Sequence, residues 1–582
     1  MHALLLLLSL FLARPTGAGA LNDSVLPFME YLDPDRNVSL KWGFNDAQGT
    51  ITFSLSIKST GWVSLGFSPN GGMEGADIVM GGIGPGGAYF TDRHATGNIL
   101  PVVDKQQNYT LLSLTEIEGQ TTMTFQRAIQ SCDDDDFHIT ARPIKLIYAY
   151  GTNDELNYHG KRRGTKEINL LNYMPRITLP STDYLTITVD NINIPATHTH
   201  YHCMVMKLPK LKGKHHIYRI EPIIEHHDIV HHMLLYGCPS FVNETYNGPC
   251  YRGDTGDHCF RVVAAWAVGG GVYEFPENAG IPVGGESGDT FYRLEIHYNN
   301  PAREEGRRDS SGLRLYYTAQ LRQHDASVLT TGLLLQGNLD YSIPANATQF
   351  HTYGMCNTSL FSKLEDAPVP DLHVFALELH THLAGRKVRV GHFRNGTQID
   401  FLALNENYNF EMQQITNLGN IKTIKQGDNI VVECTYNTVN RTGDTKMGLA
   451  TTDEMCLAFL FYYPANNIDT CWSHPTTHLS DMADSQLLEE IQTSDQDPIT
   501  MYEGLLKSIP QIQVVSDVHS NMSWYPKGTM MDMMKTPSVN CQMMEATSAP
   551  NSNPTFGRAS GRLSTSWAVT LTGLLLLWAA LM

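Results

Sequence analysis

Apolar and polar residues alternate in short runs along most of the chain, and Gly, Pro, Asn and Asp separate the runs. Residues 39–44, 50–57 and 62–67 are examples from its first part. A strand sends successive side chains to opposite faces, so this alternation predicts half-buried β-strands. Their close spacing predicts an antiparallel β-sandwich from about residue 35 to 175. A polar, proline-punctuated stretch from Arg162 to Pro180 follows and sets a domain boundary at about 175–185. Beyond it the β pattern resumes, as in residues 185–189, 292–298, 313–317 and 430–434. The stretch to about residue 510 is too long for one sandwich and suits two in tandem, divided near residues 341–349. The fold class is mainly β, with sandwiches over 21–180, 181–340 and 341–510. Residues 511–562, rich in Met, Ser, Asn and Pro, read as a loosely ordered tail.

Two apolar runs fall outside this pattern. Residues 1–20 carry one that ends in Ala18, Gly19 and Ala20, which reads as a secretory signal peptide, although Lys and Arg are missing from its start. Residues 563–582 carry the other, without charge and marginal in length for crossing a bilayer. It reads either as a single-pass type I membrane anchor or as a signal replaced by a glycolipid near Ser560 or Gly561. Ten cysteines then imply disulfides formed in an oxidising lumen. Acceptor sequons at Asn22, Asn37, Asn108, Asn243, Asn346, Asn357, Asn395, Asn440 and Asn521 imply glycosylation there. Together these features place the chain in the secretory pathway, attached to a membrane.

Composition adds two points. A formal net charge of -18 without a basic patch excludes a nucleic-acid partner. The 24 histidines are unusual and clustered, which makes metal the first chemistry to test. His380 and His382, in the strand-like run 373–385, share a face and present two imidazoles to one ion. Imidazole suits zinc, copper, iron or nickel, so the pair alone does not name the metal. His231 and His232 are adjacent, and on an ideal strand they would point apart. Joint ligation there requires a twist, a bulge or a strand end, with His297 as a third imidazole. Met455 is the candidate third ligand for His380 and His382, and its soft thioether favours copper(I). The acidic run 133–136 lacks the spacing of a calcium loop and reads as solvated.

At these residues the chain resembles the copper type II, ascorbate-dependent monooxygenases, which include dopamine beta-hydroxylase, its paralogues and the peptidylglycine hydroxylating enzyme. The family signature His-His-Met-x-x-Phe-x-Cys is matched from His231 to Cys238, with Tyr236 in place of Phe. The signature His-x-Phe-x-x-x-x-His-Thr-His-x-x-Gly is matched from His373 to Gly385 without departure. Residues 66–87 resemble the DOMON domain, a sandwich that binds haem or sugar in some relatives. No haem ligand pair stands out here, since Met73 and Met80 read equally as core or loop, so a structural or interaction role is expected. The order of DOMON domain then monooxygenase is similar to the dopamine-hydroxylase-like branch.

The resemblance implies two copper ions per chain, ascorbate as reductant and dioxygen as co-substrate. It assigns His231, His232 and His297 to the electron-storing copper, and His380, His382 and Met455 to the oxygen-binding copper. His380 and Tyr201 become catalytic residues, although His202 replaces a family Trp beside Tyr201. It also implies the bridges Cys203–Cys250, Cys238–Cys259, Cys356–Cys471 and Cys434–Cys456, leaving the pairing of Cys132 and Cys541 open. The carboxylate-gripping residues of the peptide enzyme are replaced here by Glu378, Leu457 and Phe459, which argues against a peptide substrate. Glu378 is either a pocket residue that attracts a protonated amine, as an arylethylamine carries, or a carboxylate on the solvent face. A catalytically silent copper-binding glycoprotein, acting through its DOMON domain, is the alternative reading.

Overall fold

A computed structural model of the protein describes residues 26–534 except 46–48, 132, 134, 140–143, 172–182, 254, 286–290, 334–340, 365–367, 477–496, 520 and 529. The alternation at the start of the chain builds two facing sheets of five and six strands. Trp42, Phe53 and Phe125 of one sheet meet Leu65, Phe67 and Leu146 of the other in a single buried cluster. Apolar burial of this kind drives the pairing of the sheets. Arg127 is buried in the same sandwich, and Nη1 donates to Asp77 Oδ2 and to the Tyr109 hydroxyl, both at 2.7 Å. A buried guanidinium needs anions, and this corrects the reading of the acidic run as solvated. Asp136 lies 3.8 Å from Arg127, and Asp133 and Asp136 are both buried. Each accepts a 2.9 Å hydrogen bond from the Asn108 side-chain amide.

A second sandwich follows. The strands that carry its chemistry are β1 (Thr199–Lys207), β2 (Val230–Gly237) and β3 (Phe291–Asn299), which share one five-stranded sheet with β3 between the others. The third sandwich pairs a four-stranded sheet with a seven-stranded one. The larger sheet contains β4 (Ser327–Leu333), β5 (Leu372–His380) and β6 (Cys456–Tyr463), with β6 between β5 and β4. Because β4 pairs antiparallel with β6 and parallel with Ile468–Pro475, it belongs to the third sandwich. The change of sheet therefore comes before residue 327, earlier than the turn signals at 341–349 suggest.

The expectation of a loosely ordered tail from residue 511 is overturned over residues 511–527. Gln511–Asp517 and Met522–Lys527 add two strands to the seven-stranded sheet, and the α-helix α1 (Pro498–Ser508) precedes them. Asp497 caps α1 by accepting from the Thr500 N–H. Val514 and Val515 are fully buried, so a short apolar run sufficed where composition suggested disorder.

Disulfides join Cys203–Cys250, Cys238–Cys259, Cys356–Cys471 and Cys434–Cys456. Cys132 and Cys541, Asn22 and the apolar segments at 1–20 and 563–582 lie outside the described residues. Among the described residues no helix is long and apolar enough to cross a membrane. Asn243, Asn346, Asn395, Asn440 and Asn521 are exposed, whereas Asn37 and Asn108 are half-buried. Asn357 is buried and caps a short helix with its side chain.

Candidate metal centres

The local fold solves the problem of the adjacent histidines with a β-bulge. Val230 pairs with Tyr298 and His232 with His297, which leaves His231 as the extra residue on β2. His231, His232 and His297 are all buried, and one ring nitrogen from each lies within 4.8 Å of the others. Hydrogen bonds sort the nitrogens. His231 Nε2 donates to the Phe410 carbonyl at 3.2 Å, and His297 Nε2 bonds the Thr451 hydroxyl at 2.9 Å. The Nδ1 atoms remain for a cation, with those of His232 and His297 3.3 Å apart and that of His231 unpartnered. Burial pushes His231 down to about 3, and burial with the surrounding imidazoles pushes His232 and His297 well below the usual histidine range. Neutral imidazole is the form that binds metal. Tyr201, opposite His297 on β1, stacks flat on it with centroids 4.4 Å apart, and its buried hydroxyl has no partner.

The second set uses the other nitrogen. β5 ends at His380, and His382 lies two residues on in a turn, both buried. His380 Nδ1 bonds Gln413 Oε1 at 2.6 Å, and His382 Nδ1 bonds the Asp453 carbonyl at 3.2 Å. Nε2 is thus left for ligation, and that of His382 is buried without a partner. Glu454 holds the turn by accepting from the His382 N–H at 2.9 Å and the Ala384 N–H at 2.5 Å. Met455 follows Glu454 directly and leads into β6, where Leu457 stands opposite His380. The bridge at Cys456 pins the same strand end. Gly385 closes the turn because a Cβ there would lie 1.8 Å from Thr381 Oγ1.

Residues 185–305 match the family model of the copper type II ascorbate-dependent monooxygenase N-terminal domain, and residues 324–482 that of its C-terminal domain. Residues 34–151 match the DOMON domain. DBH-like monooxygenase protein 2 of Mus musculus is 36% identical, with 94% of this chain and 91% of that protein covered. DBH-like monooxygenase protein 1 of Gallus gallus is 37% identical over 80% of this chain and 78% of its own. Human dopamine beta-hydroxylase is 34% identical over 78% of this chain and 75% of its own. The chain belongs to the copper type II ascorbate-dependent monooxygenases. Copper and ascorbate are the metal and reductant of that family, and its relatives named for dopamine point to a small-molecule substrate. The four disulfides and the relationship to dopamine beta-hydroxylase point to the secretory pathway.

In this chain the two histidine sets face each other. The His232 and His380 rings are 5.3 Å apart, and those of His297 and His382 are 6.4 Å apart. Thr199 and Thr451 link the two sandwiches by a 2.8 Å hydroxyl pair beside His297. Glu378 is 4% exposed and burial pushes it up to about 8, so the solvent-face alternative is overturned. One of its carboxyl oxygens has no partner. Three other buried histidines take other partners. His392 bonds Asp428, His216 bonds Asp325 and His202 bonds Asn247. Phe410, Gln413 and Thr451 went unnoticed in the sequence, because a lone Phe, Gln or Thr between strands carries no pattern.

Proposed function

We propose that the protein is a copper- and ascorbate-dependent monooxygenase that hydroxylates a C–H bond of a small, arylethylamine-like substrate. His231, His232 and His297 would hold one copper through Nδ1. His380 and His382 through Nε2, with the Met455 thioether, would hold a second. One observation carries the reading: two sets of buried, neutral imidazoles, in each of which outer groups already engage the nitrogen opposite the ligating one. Copper reduced by ascorbate supplies the dioxygen chemistry, in which one oxygen atom enters the C–H bond and the other leaves as water after two electrons and two protons.

The chain's own residues do the rest. The Phe410 carbonyl, Gln413 and the Asp453 carbonyl fix the tautomers of His231, His380 and His382, and Thr451 orients His297. Tyr201 covers the His297 ring and excludes water from it. Glu378 shares the strand face of His380 and offers a buried, unpartnered carboxyl oxygen to a protonated amine. In the same reading, residues 563–582 attach the luminal chain to a membrane as a span or through a glycolipid, and the exposed sequons carry glycans.

Copper-loaded protein should consume oxygen with ascorbate when offered arylethylamines, and His380→Ala should abolish this. Glu378→Gln should raise the amine KM by roughly ten-fold or more, the weight of a charged hydrogen bond. If Glu378→Gln binds amines like the parent, Glu378 has no role in recognition. Two bound coppers without turnover of any amine would favour the silent copper-binding glycoprotein. Two equivalents of zinc with no preference for copper would overturn the reading altogether.

A further inference from the structure

Residues 406–416 run between the DOMON sandwich and both histidine sets, turn at Asn409–Met412, and contact both neighbours. Lys145 Nζ of the DOMON sandwich donates to the Asn407 carbonyl at 2.6 Å, and Asn409 Nδ2 donates to the Asn70 carbonyl at 3.0 Å. Gln414 Nε2 closes the series on the Glu167 carbonyl at 2.6 Å. Between these anchors, inward residues reach the centres. The Tyr408 hydroxyl bonds the N–H and carbonyl of Thr381, the residue between His380 and His382, both at 2.9 Å. The Phe410 ring stacks on His231 at 3.8 Å while its carbonyl takes His231 Nε2. Gln413 accepts from His380 Nδ1 and donates to the Phe410 carbonyl at 2.7 Å, which couples the two contacts.

We infer that this segment is a strap through which the DOMON sandwich positions the imidazoles of both centres, with Phe410 and Gln413 as positioning residues. Anchored to the DOMON sandwich at Asn407, Asn409 and Gln414, the segment is held in the turn that presents Gln413 Oε1 and the Phe410 carbonyl to the imidazoles. The DOMON sandwich thereby acquires a role in the chemistry. The consequence for metal binding rests on the copper reading above; the mechanical coupling does not.

The test compares the full-length parent with an Asn409→Ala/Gln414→Ala variant, whose changes lie at or near the surface, and with Lys145→Met. Hydrogen exchange of residues 406–416 in metal-free protein should quicken about ten-fold in the variants while the strands of the three sandwiches keep the parent rates. Copper affinity should fall roughly 10–100-fold, the usual effect of losing an outer hydrogen bond to a ligand, with a changed copper EPR spectrum. Gln413→Ala should reproduce the spectral change, and Gln413→Glu, which keeps the accepting oxygen, should restore most of it. Parent-like exchange and affinity in both DOMON-contact variants would overturn the strap. A parent that binds no copper would overturn the copper reading, and the exchange experiment would still decide the mechanical one.

Discussion

At the scale of single residues, the decisive contacts are those made by the imidazole nitrogens that the proposed copper ions would leave free. Thr451 bonds His297 Nε2 and also accepts from Thr199, so one hydroxyl orients an imidazole and makes a contact between sandwiches. Thr451→Val keeps the shape and removes the hydroxyl. It should weaken copper binding at the three-histidine centre by roughly 10–100-fold, read by copper titration, with the parent's secondary structure retained. A titrating residue away from the centres gives a second prediction. Asp469 is 3% exposed, and burial pushes it from 3.8 up to about 7, although Ser516 donates to it at 2.7 Å. The folded state then holds a proton that the unfolded state has released, so stability falls as pH rises from about 4 to 7. Asp469→Asn should remove this component and raise the thermal midpoint above that of the parent at pH 8 but hardly at pH 4.

At the scale of elements, the turn that carries His382 depends on one glycine. Gly385→Ala would force a Cβ against Thr381 Oγ1, and Thr381 cannot retreat because Tyr408 bonds its backbone on both sides. The variant should lose copper from the His380 centre, measured by copper stoichiometry, while the three-histidine centre stays loaded. Gly385 was legible as part of a motif, but its reason was not, since close approach is a tertiary fact. The same division runs through the chain. His231 and His232 announced a break in the strand, and the bulge supplied it. Strand runs such as 292–298 were readable because alternation is local. Gln511–Asp517 was hidden because its neighbours are polar and its partner strand lies across a stretch with no pattern. The buried state of Asp136 depends on Arg127, 3.8 Å away, which carries no mark in sequence of facing inward.

At the scale of the whole molecule, the two copper sandwiches share one core, and the facing histidine sets follow from that. Leu294, Ile296 and Tyr298 on β3 belong to the same buried cluster as Phe375 on β5 and Phe461 on β6. Phe461 is fully buried, and its ring lies 5.8 Å from Tyr273 and 6.3 Å from Phe275 of the second sandwich, and 6.5 Å from Phe375 of its own. A core that crosses the boundary makes separate unfolding of the two sandwiches costly, because each would expose half of it to water. Phe461→Ala should therefore destabilise by about 3–5 kcal/mol, and calorimetry should show the loss in one transition that covers both sandwiches. Two resolved transitions, with only the third sandwich shifted, would mean that the boundary is a true division. In that case the 5.3 Å approach of His232 and His380 would be one arrangement among several, set by hydroxyl and strap contacts alone, and not by the core.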